Sequence, residues 1–137
     1  MREILFRGKS KAQNKWVYGW YCGKILNHNM SDTEESSQII DFKTLYWHTC
    51  EPNTVGQFTG LTDKNGTKIF EGDIVTFPFD EFNPCAKFKI EWVGAEFCAV
   101  HIEGKPCVWT IRVTDYADQM DIIGNIHDNP EMVEDSR

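Results

Sequence analysis

The sequence predicts a mainly β protein: an SH3-like small barrel over about residues 71–127, an additional N-terminal antiparallel sheet, and at most one short helix. Three observations carry this. No window of 11 or more residues holds the i, i+3, i+4, i+7 apolar spacing of a helix without a Gly, Pro or β-branched interruption. Several segments alternate apolar and polar residues with period two. From residue 71 on, such segments recur at short intervals with turn residues between them, the pattern of a small barrel.

Glu3 to Arg7 and Lys15 to Leu26 flank the polar stretch Gly8–Asn14 and read as a first hairpin. Its second strand sets Trp16, Tyr18, Trp20 and Cys22 on one face, which is expected to pack on the core. Asn27 to Gln38 has no large apolar residue except Met30 and many Ser and acids, so it reads as a mobile loop. Ile39 to Trp47 regains strand character, and residues 48–54 form a turn-rich connection to Val55.

Asn65-Gly66 supplies the positive φ angles of a tight hairpin turn, with Thr67–Phe70 returning. Glu71-Gly72-Asp73 marks a corner: glycine takes the bend, and the Asp73 carboxylate accepts hydrogen bonds from its amides. Strands follow at 73–79, 87–93, 96–102, 107–113 and 121–127. Phe88, Ile90 and Trp92 point inward, Lys87, Lys89 and Glu91 outward, and Gly94-Ala95 makes the next turn. Residues 117–120 are expected to form one helical turn. The expected organisation is one domain over 1–137, with hairpins in 1–70, the barrel-like half in 71–128 and a frayed acidic tail in 129–137.

A chain of 137 residues with 41% hydrophobic and 13% aromatic content carries enough apolar surface for a packed core without metal or disulfide. The expected compartment is cytoplasmic: no segment approaches the roughly 20 apolar residues of a membrane span, and none resembles a secretory signal. The five cysteines, odd in number and scattered, read as free thiols. Net charge is −7, yet Met1–Leu26 carries six Lys/Arg against one acid. A nucleic-acid partner would have to use that basic hairpin, with Lys9, Lys11 and Lys15 as its patch; otherwise these lysines solvate a sheet edge and block strand pairing.

The residues offer little chemistry. There is no Cys-x-x-Cys knuckle to preorganise a zinc site, so no metal and no cofactor is expected. No helix N-terminus is available to lower the pKa of a thiol. Glu71 with Asp73, and Asp80 with Glu81, are better read as turn formers than as acid/base pairs. Gly56, Gly60, Gly66 and Gly72 open no helix and cradle no phosphate. Gln57 can both donate and accept between the glycines, so Gln57, Thr59 and Asp73 are the candidate interaction surface, a buried network being the competing role. Aromatic and basic residues interleave at Arg7, Trp16, Tyr18 and Lys24 and at Lys87, Lys89, Trp92, Trp109 and Arg112, a composition seen in single-strand-binding platforms. Alternation is expected to place the two types on opposite faces, with the aromatics in the core.

Three stretches carry a likeness to a known family: Arg2–Arg7 with Trp16-Val-Tyr-Gly19; Val55-Gly-Gln-Phe-Thr-Gly-Leu61 continuing through Gly66 to Ile69-Phe-Glu-Gly-Asp-Ile-Val75; and Ile123-Gly-Asn-Ile-His-Asp-Asn-Pro130. Together they resemble the YopX family of phage and prophage proteins. The resemblance implies a mainly β fold, a mobile-element origin and a bacterial host cytoplasm, and brings no catalytic residues. The expectation is an accessory, non-enzymatic protein-interaction module that binds a protein or itself, with no membrane and no small-molecule substrate. The alternative is a nucleic-acid-binding module using the basic N-terminal hairpin.

Overall fold

A computed structural model describes residues 3–28, 33–78, 86–102 and 110–134. Met30, Asp80, Glu81, Cys85, Cys107, Trp109 and the last three residues lie outside them. The chain forms two compact units, Met1–Phe58 and Thr59–Arg137, and the boundary falls inside the central glycine motif.

In the first unit, β1 (Phe6–Lys9), β2 (Trp16–His28), β3 (Thr33–Asp41) and β4 (Trp47–Cys50) pair as an antiparallel meander. The start of β5 (Gly56–Thr62) joins the far side of β1, with Phe6 opposite Gln57. Beyond β1, Ser10 bridges to Cys50. The Lys11 amide donates to the Thr49 carbonyl at 2.9 Å, and Glu51 N to Lys9 O at 3.0 Å. These bonds curl the sheet back towards its own edge. Inside the curl Val17, Ile39 and Cys50 are buried, with Phe6, Tyr21 and Val55 packed on them.

Two expectations are corrected here. The stretch read as a mobile loop is largely strand: β2 runs to His28, β3 starts at Thr33, and Lys24 to His28 pair with Ser37 to Thr33. The ladder satisfies the backbone there, and Ser36 and Ser37 are buried, so pairing overrides the polar composition. A Lys24–Glu35 ion pair at 2.9 Å links the strands across the surface. The second correction is the face of β2. Val17 and Gly19 are buried, whereas Tyr18, Trp20 and Cys22 are exposed. Gly19 lies against β3 so closely that a Cβ there would sit 1.8 Å from the Ile40 carbonyl oxygen. The inward face is thus the one that carries the glycine, and the aromatics take the other.

In the second unit the end of β5 is followed by β6 (Lys68–Phe70). A five-stranded antiparallel sheet then runs in the order β10 (Thr110–Arg112), β9 (Glu96–His101), β8 (Lys87–Val93), β7 (Asp73–Thr76), β11 (Asp121–Asn125). The mainly β architecture and the N-terminal sheet are as expected; β10 and β11 stand at opposite edges, and no pairing between them closes a barrel among the described residues. The β8–β9 hairpin matches its expected limits to within one residue, β9 ending at His101, and turns at Gly94 with φ +65°. Phe88 and Ile90 point inward, but Trp92 is half-exposed near the hairpin end, edge-on to Phe97 at 4.7 Å. The core gathers Ile69, Val75, Phe77, Phe88, Ile90, Val113 and Met120.

Among the described residues helix amounts to single turns, α1 (Val113–Tyr116) and α2 (Glu131–Glu134), with 3-10 turns at Pro52–Thr54 and Ala117–Gln119, in keeping with the little helix expected. In the described part of the acidic tail Met132 N and Val133 N donate to Asn129 O and Pro130 O, both at 3.1 Å.

Candidate functional site

Gln57, Thr59 and Asp73 do not share one unit. Gln57 is half-buried in the first, and Thr59 and Asp73 are buried in the second. The Thr59 hydroxyl donates to Ile69 O at 2.9 Å and accepts from Leu61 N at 3.3 Å, tying β5 to β6. Asp73 accepts from Phe70 N at 2.7 Å across the Gly72 corner, the turn-forming role expected of it.

A residue that sequence reasoning passed over does more in this region. Asp63 is buried, and its Oδ1 accepts from Asn65 N and Thr67 N, both at 2.9 Å, while Oδ2 accepts from Ile122 N at 3.2 Å. It shapes the β5–β6 turn and ties it to β11. In that turn only Gly66 has positive φ, +83°, and Asn65 does not, which corrects the expected Asn-Gly pair. A polar residue three places before a turn glycine was the available signal. Burial pushes the Asp63 carboxyl up, but the bonds from Thr67, Ile122 and Asn65 together outweigh it and hold the group below its ordinary value.

The folded pKa being the lower one, Asp63 contributes its full stability above the unfolded value of roughly 3.9 and loses it as pH falls through the folded value. Asp63→Ala is expected to cost on the order of 2 kcal/mol at pH 7, because three part-buried amides lose their acceptor. In denaturant melts the deficit relative to the parent should shrink steadily as pH drops below about 4; parallel curves at every pH would contradict this.

The thiols and a cavity in the second unit offer limited chemistry. Burial pushes the Cys50 thiol up to about 11 and raises Cys98 as well, the reverse of what activates a nucleophile. Among the described residues no three His, Cys, Asp or Glu side chains gather in a way that could hold a metal ion. A cavity of about 250 Å³ in the second unit is lined by residues that include Lys64, Thr76, Phe77, Lys87 and Asp121, with Lys64 Nζ 3.9 Å from Asp121.

The most distinctive surface is the outer face of the first sheet. Antiparallel partners share a face, so the register places Lys9 beside Trp16, Arg7 beside Tyr18, and Trp20, Ile40 and Trp47 in one row across β2, β3 and β4. Tyr18 is 37% exposed, Trp20 48% and Trp47 63%. The Arg7 guanidinium, of a residue that is itself buried, lies 4.6 Å from the ring centroid of half-buried Trp16, and Lys9 Nζ 5.7 Å from it. Here aromatic and basic residues stand on the same face, against the expectation that alternation would separate them: the expectation compared residues along one strand, whereas these come from neighbouring strands in register. In the second unit Lys89 pairs with Glu91 at 2.8 Å and Arg112 with Glu96 at 3.0 Å, Trp92 is half-exposed, and Trp109 lies outside the described residues.

Of the expected basic patch, Lys9 belongs to this face and Lys15 is exposed in the β1–β2 turn. Lys11 instead reaches back to β3, its ammonium donating to Glu35 O at 3.2 Å and Ser36 Oγ at 3.1 Å.

A two-unit, all-β chain with its glycine motif at the boundary matches a known group along nearly its whole length. The model of the YopX protein family covers residues 5–134, and the chain belongs to that family. No curated protein matches it. Among solved structures, protein EF1440 from Enterococcus faecalis is similar in fold, with a TM-score of 0.53 and 21% identity over 97% of this chain and 99% of that one. Among the described residues no helix is long and apolar enough to cross a membrane.

Proposed function

We propose that this YopX-family chain is a non-enzymatic accessory module of a phage or prophage, acting in the host cytoplasm by binding, and that its binding surface is the outer face of the first sheet. One observation carries the proposal: Tyr18, Trp20 and Trp47 stand exposed on a strand-built face, continued by exposed Tyr46 and Leu45 at the β3–β4 turn. Large aromatics in contiguous register are costly to leave in water and mark interaction surfaces in soluble proteins. Strands hold them rigidly, so little side-chain order has to be gained on binding.

The expected pattern for a protein-interaction module or self-association is capture of a partner, or a dimer, through this face. To test it, tagged full-length protein is used for capture from host lysate, alongside size-exclusion chromatography. Material retained by the parent should be lost from the Trp20→Ala/Trp47→Ala double variant while the melting temperature stays within a few degrees, as for surface substitutions. A parent that retains neither protein nor nucleic acid and elutes as a monomer, or a variant that retains the same material, overturns the reading.

A further inference from the structure

We infer that the ligand of this outer face is a single-stranded nucleic acid, its bases stacking on Tyr18, Trp20 and Trp47 and its phosphates neutralised from the Lys9 and Lys15 side. The inference rests on the binding-face reading above and names the partner class.

Charge complementarity selects this occupant over a protein. Between the Lys9–Trp16 pair and the Trp47–Thr49 edge, the register positions of the face hold Arg7, Lys9, Trp16, Tyr18, Trp20, Gln38, Ile40, Trp47 and Thr49; Arg7 is buried, so the accessible charge is that of half-buried Lys9 and of exposed Lys15 in the adjoining turn, and Glu51, whose amide donates to Lys9 O, stands at the border of the face. The nearest acid in the register, Asp41 opposite Gly19, falls on the Gly19 side of the sheet, and its carboxylate accepts from Lys43 N and Thr44 N at 2.8 and 3.1 Å. The first unit carries seven Lys/Arg against six Asp/Glu, net +1; the second carries seven against fifteen, net −8. The molecule's negative charge is therefore concentrated away from the unit that bears the face, and a polyanion is repelled by one unit and admitted by the other.

The aromatic set selects a single strand over a duplex. Tyr18 and Trp20, two residues apart on β2, are separated by roughly 7 Å along the strand, and Trp47 lies two strands away from Trp20 at about 5 Å per strand. Exposed rings set on a sheet present π-faces to unstacked bases, whereas paired bases hide theirs in the stack. Arg7 and Lys9 over Trp16 hold the basic edge of this row in place beside the rings. Such a surface reads strandedness and tolerates sequence, because every base has a π-face and no donor–acceptor fork is required.

Fluorescence anisotropy with full-length protein and a fluorescein-labelled 20-nucleotide oligothymidylate in 50 mM salt tests this, with a 20-base-pair mixed-sequence duplex as competitor. The expected results are binding to the single strand at least tenfold tighter than to the duplex, and steep weakening with salt. Trp20→Ala/Trp47→Ala should weaken binding tenfold or more and Trp20→Phe/Trp47→Phe should restore most of it, which a loss of fold would not do. Lys9→Gln/Lys15→Gln should flatten the log-log salt dependence by about two. No binding in 50 mM salt, equal binding of duplex, or unchanged affinity in the double alanine variant overturns the inference. If the oligonucleotide fails to bind while the alanine variant still loses a captured protein or a dimer, the ligand class is wrong and the binding face stands; if both fail, both readings fall.

Discussion

Gly19→Ala is expected to unfold the first unit, at a cost on the order of 3 kcal/mol or more, above the usual range for overpacking. The added methyl would meet the Ile40 carbonyl oxygen at 1.8 Å, the Ile40 carbonyl carbon at 2.7 Å and Asp41 Cα at 3.1 Å. All three are backbone atoms of the paired strand, so no side chain can rotate away. Relief requires β2 and β3 to separate where they pair Gly19 with Asp41 and Trp20 with Ile40. The packing of Phe6 and Tyr21 on the first unit's core is the reporter: near-ultraviolet dichroism should be lost at a lower temperature than in the parent. A melting temperature within a few degrees of the parent would show that the strands are not in this close contact.

Phe88→Ala is the counterpart in the second unit, with an expected loss of about 3–5 kcal/mol. Phe88 is fully buried at the centre of the five-stranded sheet, its ring centroid 4.9 Å from that of Phe77 and 5.1 Å from that of His101. β7 and β9 pair on either side of it, at Val75 and His101. Truncation leaves a cavity between strands pinned by their ladders, so collapse into it is restricted and the penalty falls towards the upper end for an aromatic. Phe88→Leu, which keeps most of the volume, should recover more than half of the loss. Chemical denaturation with a probe in the second unit reads both; a deficit below about 1 kcal/mol for the alanine variant would mean that the ring is not at the core.

The two substitutions differ in how visible they were beforehand. Phe88 sits in Lys87–Val93, where strict alternation and a Gly-Ala turn settle face and register together, and the β8–β9 pairing followed from local residues alone. Gly19 sits in a strand where both parities are plausible: one carries Trp16, Tyr18 and Trp20, the other Val17, Gly19 and Tyr21. Hydrophobicity favours burying the first set. The fold buries the second because β3 approaches over a position with no side chain, and that contact is between residues far apart in sequence. The candidate face was hidden by the same inversion, since aromatics assigned to a core are not examined as a surface.

Asp63 was obscure for a related reason. Its two neighbouring acceptor bonds, to Asn65 and Thr67, belong to turn chemistry that a sequence can suggest, but the one to Ile122 joins positions 59 residues apart. The strand pairing through Glu34–Ser37 likewise depended on a partner strand to satisfy polar backbone that composition alone would leave to water.

What the sequence determined by itself was the mainly β class, the family, the Gly72–Asp73 corner and the β8–β9 hairpin, all set by period-two alternation and by turn residues whose backbone preferences act within a few positions. What only the tertiary structure decided was which side of β2 faces the core, and hence that Tyr18, Trp20 and Trp47 form a surface beside Lys9. The physical reason is that alternation defines two faces of a strand without ranking them; the ranking comes from how closely the neighbouring strand can approach, and here Gly19 admits it.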